Sequence, residues 1–397
     1  MFTPVKLRES SAAGFGRFLT GWNIPALAAM VLLTASGILF IGCIGGGVEG
    51  FPNASAVRQM IWGGIGLAVW FCFSVADYRR WKLAGPAIYL LSMVLLVAVL
   101  IWGNKIFGAR RWLILNLGFF RQQMQPSELA KIGMILLLAL MMSGAGFRSD
   151  SWRSLGVTAL LTALPFALVA VEPDLGGALI FLPIAAVMVF VRGFSWRKML
   201  IAALLLTALA GALTVNEIYR IRPVLKEYHR NRIKTFLDPE SDPLGRGYNA
   251  CQARLAVGSG GLFGKGVGEG DMSGLGFIPR TVANNDFIFA VIAEEGGYVG
   301  AVLVLLGYAV LIGSCFTVAW RAPDLYGRTL AAGFGTMLFC HVYINIGMNI
   351  GLAPVTGIPL PLLSYGGTFL VTTMAMLGVV QSISRAGAGG EDGRKRQ

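Results

Sequence analysis

The chain has 397 residues, of which 55% are hydrophobic and only 13% are charged, and its formal net charge is +13. The charged fraction is about half that of an ordinary soluble domain, which excludes a series of soluble domains. The apolar residues form blocks of about 20, long enough to cross about 30 Å of hydrocarbon. We expect the excess basic residues to lie in cytoplasmic loops and to contact anionic phosphates, and we expect no nucleic-acid partner.

The apolar blocks predict about ten transmembrane helices. They cover residues 23–45, 58–76, 84–103, 127–143, 155–171, 176–191, 197–215, 286–316, 328–350 and 363–384. Helices are expected because a bilayer offers no partners to unpaired backbone groups. The prediction is therefore an all-α polytopic membrane protein, with one long polar loop, residues 216–285, between helices 7 and 8.

Basic residues predict the orientation of the chain. Six alternate segments, including both termini, are basic, so the positive-inside rule places residues 1–22 and 385–397 in the cytoplasm. Residues 23–384 then form a single transmembrane domain, and 216–285 is extracytoplasmic. The short segment 104–126 is also extracytoplasmic and still basic, which indicates an anionic ligand or contact with lipid headgroups.

The first polar motif consists of two nearby stretches of the sequence. Arg111 and Trp112 are followed by Glu128 and Lys131, which are three residues apart and so share one helical face. Charges inside a membrane span normally pair. A structural ion pair is one interpretation, and a direct substrate contact is the other.

Two further motifs place an aspartate in a turn. Asp174 lies between Pro173 and two glycines, where it is either a helix cap or part of an outward-facing cavity. Asp242 lies in Asp238–Tyr248, a segment rich in Pro and Gly, where an ordinary turn is the alternative to a functional carboxylate.

The last two motifs follow the long loop. Asp286, Glu294 and Glu295 enter an apolar helix, which implies a cavity or a partner for their charges. The stretch GMNIGLAPVTGIPLPLLSYGG, Gly347–Gly367, contains Ser364 and is too rich in Pro and Gly to be helical. Irregular backbone at membrane depth must line a cavity or be buried in protein.

These five motifs, in this order, resemble the SEDS family, and the resemblance extends from the first span to Ser384. It is closer to the RodA-like, elongation-type members than to the FtsW-like, division-type members. It implies a peptidoglycan glycosyltransferase of the cytoplasmic (inner) membrane that polymerises lipid II and releases undecaprenyl pyrophosphate. It also implies a class B penicillin-binding protein, a transpeptidase, as partner within the elongation machinery.

The resemblance assigns the functional residues. The essential aspartate of the family corresponds to Asp242, and an inverting transfer makes it the candidate general base at an extracytoplasmic active site. The predicted substrate-binding residues are Arg111, Trp112, Glu128, Lys131, Asp174, Lys234, Asp286 and Ser364. One departure is the sequence Asn284-Asn285-Asp286, where family members commonly have His-Thr-Asp.

Several alternatives stay open at this stage. No complete metal site is evident and no cofactor is certain, although a divalent cation, Mg²⁺ or Mn²⁺, would suit a diphosphate leaving group. The chain could instead be a transporter (flippase) of a lipid-linked precursor, a division-type polymerase, or a scaffold that recruits the transpeptidase.

Overall fold

The computed structural model describes residues 21–45, 47–106, 109–116, 121–148, 151–218, 227–243, 245–274 and 276–394. Helices dominate these residues. In chain order they are α1 (Ile24–Cys43), α2 (Ala54–Val75), α3 (Trp81–Trp102), α4 (Pro126–Ser143), α5 (Trp152–Val171), α6 (Leu175–Leu179), α7 (Phe181–Val191), α8 (Trp196–Ile218), α9 (Glu227–Leu237), α10 (Arg246–Ser259), α11 (Asp271–Gly274), α12 (Arg280–Ala283), α13 (Ile288–Arg321), α14 (Leu325–Asn349) and α15 (Gly367–Arg394).

Eight helices in the described part of the chain are long and apolar enough to span a membrane, which confirms an all-α polytopic membrane protein. They are α1, α2, α3 with the 3₁₀ turn before it, α4, α5, α13, α14 and α15 as far as Ala388. Two other predicted spans correspond to α6 with α7, and to α8. The predicted number of ten is therefore approximate.

Local sequence fixes where the first helices begin. Asn23 and Asn53 cap α1 and α2, with side-chain oxygens that accept from the backbone N–H groups of Ala26 and Ala56 at 3.2 and 2.9 Å. Pro126 opens α4, where its missing N–H costs no hydrogen bond. The helices then pack in pairs, with α15 along α2, α3 along α4, and α13 along α14.

The central helix of the bundle is α14, because 83% of an apolar stretch of 18 residues in it is buried. It contacts α4, α7, α13 and α15. Close approach at Gly333 depends on the absence of a side chain, since a Cβ there would lie 2.8 Å from Ile135 and 3.0 Å from Met188. A helix surrounded in this way can hold polar side chains away from lipid.

A small antiparallel sheet follows α3, and the sequence analysis did not predict it. Its strands are β1 (Asn104–Ile106), β2 (Ala109–Asn116) and β3 (Arg121–Met124), in the order β1-β2-β3. β1 and β3, with three and four residues, are too short to show a period of two. The eight residues of β2 place two arginines before the apolar run Trp112–Leu115, so they do not alternate either. They lie in the segment that the sequence analysis identified as a short basic loop.

The long polar segment is also more ordered than a loop. It contains α9, a 3₁₀ turn at Pro239–Ser241, and α10. Gly297, at φ 66° and ψ −165°, breaks α13 into two helical parts. The backbone at 261–266 pairs with 294–299 beside this break, for example Lys265 N to Glu294 O at 3.1 Å.

The two ends of the bundle carry different features. The sheet end carries the β-sheet, the turn Glu172–Asp174 and a non-helical strap at 350–366; Arg111 in β2 donates to the carbonyl of Pro173, and Thr368 donates to the carbonyl of Gln123 in β3. The opposite end carries a cluster in which the Tyr78 hydroxyl donates to Asp324 at 2.7 Å.

Candidate functional site

The first charged cluster at the sheet end is built around Asp174. Its Oδ1 accepts from Gly177 N at 3.2 Å, so it caps α6, and the same oxygen lies 3.5 Å from Arg111 Nη1. Gln125 donates to Oδ2 at 3.2 Å. Asp174 is only 3% exposed. The helix-cap interpretation and the proximity to a cation therefore both apply to this residue.

Glu172 lies beside this cluster and was not among the predicted site residues. It is 1% exposed, and neither carboxyl oxygen has a hydrogen-bond partner among the residues that the structure describes. Burial raises the pKa of Glu172 to about 9, with a further upward contribution from Asp174 and a downward one from Arg111. Glu172 is therefore a neutral acid at pH 7.

The second cluster pairs Lys131 with two partners. Its Nζ lies 2.8 Å from Glu128 Oε1 and 2.8 Å from His341 Nε2. An ammonium group only donates, so His341 Nε2 accepts and the imidazole proton is on Nδ1. Lys131 and His341 are each 1% exposed, whereas the Glu128 side chain is 13% exposed. The geometry favours the ion-pair interpretation for Lys131, while Glu128 stays partly accessible.

Asp242 ends the 3₁₀ turn Pro239–Ser241 and is half-buried. Its Oδ2 accepts a long hydrogen bond of 3.4 Å from Gly247 N, and its backbone oxygen accepts from Tyr248 N at 3.1 Å. A Cβ at Gly245 would lie 2.6 Å from both carboxyl oxygens. The glycines of the motif therefore leave room for the Asp242 carboxylate.

The strap at 350–366 contacts both α6, which Asp174 caps, and α9, which precedes Asp242. A Cβ on Gly176, at the start of α6, would lie 2.6 Å from Thr356, and the carbonyl of Thr356 accepts from Arg232 Nη2 in α9 at 3.3 Å. The strap thus connects the neighbourhood of Asp174 to the helix that precedes Asp242. Lys234 is also on α9 and is exposed.

Three consecutive carbonyls hold the segment that departs from the family pattern. The Asn284 carbonyl accepts from Tyr365 N at 2.9 Å, and the Asn285 carbonyl accepts from Ser364 Oγ at 2.5 Å. The Asp286 carbonyl accepts from Asn345 and Asn349, each at 3.1 Å. The backbone of this segment is fixed whatever its side chains are.

The predicted site residues therefore occupy different environments. Ser364 is 2% exposed, and its hydroxyl also accepts from Leu360 N at 2.8 Å, so its hydrogen bonds stay within the protein. Trp112 is half-buried in β2, and a Cβ at Gly357 would lie 3.4 Å from Asp286 Oδ2. A substrate contact for each of these residues stays a prediction.

Sequence reasoning missed His341 and Glu172. His341 is one of only two histidines in the chain and lies inside an apolar span, which was a usable signal. Glu172 directly precedes Pro173, and no role was predicted for it. The two acids of the first half of α13 do have partners: Lys265 Nζ lies 2.7 Å from Glu294 Oε1, and Gly268 N donates to Glu295 Oε2 at 2.8 Å.

No metal donor set is assembled within the part of the chain that the structure describes. There, no group of three or more His, Cys, Asp or Glu side chains could hold a metal ion.

Comparison with known proteins is consistent along almost the whole chain. The profile of the cell cycle protein family FtsW/RodA/SpoVE matches residues 22–388. The peptidoglycan glycosyltransferase MrdB of Escherichia coli (strain K12) is 41% identical over 306 residues, 77% of this chain and 78% of the relative. The peptidoglycan glycosyltransferase RodA of Treponema pallidum is 32% identical, covering 93% of this chain and 98% of the relative.

Solved structures share the fold. One chain comes from a structure described as the structural coordination of polymerization and crosslinking by a peptidoglycan synthase complex. It is 34% identical, with a TM-score of 0.74, covering 92% of this chain and 98% of that one. The crystal structure of the rod shape determining protein RodA of Thermus thermophilus is 32% identical, with a TM-score of 0.65, covering 92% and 97%.

Proposed function

The chain belongs to the FtsW/RodA/SpoVE family of cell cycle proteins, and from this we propose that it is a peptidoglycan glycosyltransferase that polymerises lipid II. The observation that carries the proposal is the similarity, over 77% and 93% of the chain, to relatives named as peptidoglycan glycosyltransferases. Identity is 41% to MrdB and 31% to 34% to three relatives named FtsW, which favours an elongation role over a division role.

Asp242 is the general base in this proposal. Its carboxylate takes the proton from the acceptor hydroxyl while that oxygen forms the new bond to the anomeric carbon of the donor. The bond from that carbon to the diphosphate oxygen breaks, and its electron pair leaves with undecaprenyl diphosphate. The half-buried position and the small neighbours Gly245 and Gly247 suit a carboxylate that a sugar must approach.

The leaving diphosphate requires positive charge near the same carboxylate. Arg232 and Lys234 lie on α9, ten and eight residues before Asp242, and guanidinium groups bind phosphate through paired hydrogen bonds. Arg111 and Gln125 supply further polar groups around Asp174, close to the strap.

The distribution of basic loops supports a location in the cytoplasmic membrane, with the sheet end outside and both termini inside. The sugar of lipid II then meets Asp242 outside the cell. One similar chain belongs to a complex that couples polymerization and crosslinking. We therefore include a class B penicillin-binding protein of the elongation machinery as the partner.

The test is polymerisation of lipid II by the purified full chain, with and without its transpeptidase partner. We expect glycan strands that are resolved on a gel, together with stoichiometric undecaprenyl diphosphate. A transporter would instead move lipid II between the leaflets of proteoliposomes and form no polymer. A scaffold would bind the transpeptidase and form no polymer. Either result would contradict the proposal.

A further inference from the structure

A narrow crevice runs between α1, α2, α13 and α15 at the opposite end of the bundle. Its lining extends along α1 from Asn23 to Met30 and along α13 from Leu311 to Val318. From residue 23 to residue 30 an α-helix rises roughly 10 Å, so the crevice follows the helices over that distance. Trp70 of α2 and residues of α15 close its other sides. The crevice therefore runs in the direction in which lipid chains lie in a membrane.

The two ends of the crevice differ in chemistry. Polar groups gather near its outer end, where Asn23 N donates to Gln381 Oε1 at 3.1 Å and Ser314 Oγ donates to Asn23 Oδ1 at 3.4 Å. The lining farther from that end is apolar and includes Met30 and Leu311, which are 1% and 0% exposed. A ligand that fits this crevice is apolar along its length and polar at one end.

Positive charge lies beside the outer end. Arg385 follows Gln381 by one turn of α15, and its guanidinium carbon lies 5.7 Å from the centre of the Trp22 ring. Its Nη1 donates to the carbonyl of Ser74 at 3.0 Å, which holds the side chain in place. The described residues that line the crevice include no acidic side chain. A negative group at the polar end of the ligand would therefore be attracted to Arg385.

The crevice opens between α1 and α13. Its lining residues on α2 and α15 are buried, whereas Ala26, Leu27 and Ser314 are half-buried. Both α1 and α13 are long and apolar enough to span a membrane, and the nearby side chains of Ile24 and Phe316 are exposed. The opening therefore faces the hydrocarbon of the bilayer. A ligand that reaches the crevice comes from the membrane.

We propose that this crevice binds one acyl chain of an anionic phospholipid from the membrane leaflet at the opposite end of the bundle. The chain enters between α1 and α13, its ester carbonyls accept from Asn23 and Ser314, and its phosphate lies beside Arg385. The bound lipid thereby joins α1, α13 and α15. This leaflet is the cytoplasmic one in the orientation proposed above. The site goes beyond the proposed function, which concerns the sheet end.

Photolabelling of the full chain tests the proposal. The protein is placed in phosphatidylcholine nanodiscs that contain a trace of phosphatidylglycerol with a diazirine in one acyl chain, and labelled residues are identified by tandem mass spectrometry after illumination. We expect labels on Met30 and Leu311, because their burial keeps them out of reach of chains in the surrounding bilayer. A phosphatidylcholine probe with the same chains should label them about fivefold less, the factor that one arginine near the membrane surface contributes.

Two variants fill the crevice from its opening. Ser314→Leu on α13 and Ala26→Leu on α1 each enlarge a lining residue and should remove most of the label from the two buried residues. Gly313→Leu is the matched control, because it introduces the same side chain at the neighbouring position, where a Cβ would meet open space. This control should keep the labelling of the parent chain. Arg385→Gln should lower labelling by phosphatidylglycerol to the level of phosphatidylcholine.

Labels on exposed residues such as Ile24 and Phe316, with Met30 and Leu311 unlabelled, would overturn the proposal and leave the crevice to water. Unchanged labelling in both filling variants, or equal labelling by the two probes, would overturn it as well. If a filling variant does not fold, the labelling of the parent chain still decides. None of these results depends on polymerisation of lipid II, so failure of this site and failure of the proposed function are distinguishable.

Discussion

At the scale of single residues, Glu172 is the most unusual group at the sheet end. It is buried and lies next to the carboxylate of Asp174. In the described part of the chain, neither of its oxygens has a hydrogen-bond partner. Burial, and then Asp174, hold its pKa near 9, well above the ordinary value of 4.5. Folding therefore keeps a proton on Glu172 that the unfolded chain releases.

This linkage predicts that stability falls as the pH rises. Below pH 4.5 the folded and unfolded chains both carry the proton, so its contribution is fully present; between pH 4.5 and about 9 only the folded chain carries it. The free energy of unfolding should therefore decrease by at most about 1.4 kcal/mol per pH unit in that interval.

Glu172→Gln removes this dependence because an amide does not titrate. We expect its melting temperature in detergent to be higher than that of the parent chain at pH 8 and similar at pH 4.5. Differential scanning fluorimetry at several pH values checks this. The same change of melting temperature with pH in both proteins, from pH 4.5 to 9, would contradict the raised pKa.

At the scale of the secondary-structure elements, one polar stripe on α14 joins four parts of the chain. His341, Asn345 and Asn349 are spaced four residues apart and share one face. His341 contacts Lys131 of α4, and the two asparagines bind the carbonyls of Asp286 and Ile358. The buried position of α14 allows these polar groups because each has a partner within the protein.

His341→Leu should destabilise the fold by about 1–3 kcal/mol, because it leaves one N–H of the buried Lys131 ammonium without an acceptor. Thermal unfolding in detergent should show a clear decrease in melting temperature. His341→Gln keeps an acceptor oxygen and should recover part of it. Tyr343→Leu, at a 60% exposed position on the same helix, is the control. An equal melting temperature for His341→Leu and the control would show that His341 does not hold Lys131.

The elements that the sequence predicted are those whose length the membrane determines, and the elements that it missed are short. Long apolar runs predicted the positions of α1 to α5 and α13 to α15, because the thickness of the membrane sets the length of a spanning helix. The β-sheet at 104–124 and the helices of 227–259 were missed, since short polar elements carry no such constraint. The ion pair between Glu128 and Lys131 followed from local spacing, whereas the contact of Lys131 with His341 joins positions 210 residues apart.

At the scale of the whole molecule, the strap at 350–366 joins two charged regions. Its residue Thr356 packs against Gly176, two residues after Asp174, which lies 3.5 Å from Arg111. The carbonyl of Thr356 also accepts from Arg232 of α9, the helix that precedes the Asp242 turn. Polymerisation must hold two lipid-linked sugars at once, so two polar regions joined by one strap suit the proposed reaction. In the proposed reaction, Asp242 is the general base that activates the acceptor hydroxyl when these sugars are joined.

A matched pair of variants tests this claim most directly. Asp238 and Asp242 are both followed by proline and flank the same 3₁₀ turn, but Asp238 is exposed. In the lipid II polymerisation assay, Asp242→Asn should lower the rate by about 10²-fold or more, the usual contribution of a general base. Asp238→Asn should leave the rate near that of the parent chain. Equal rates for the parent chain and Asp242→Asn, with both proteins folded, would contradict the account.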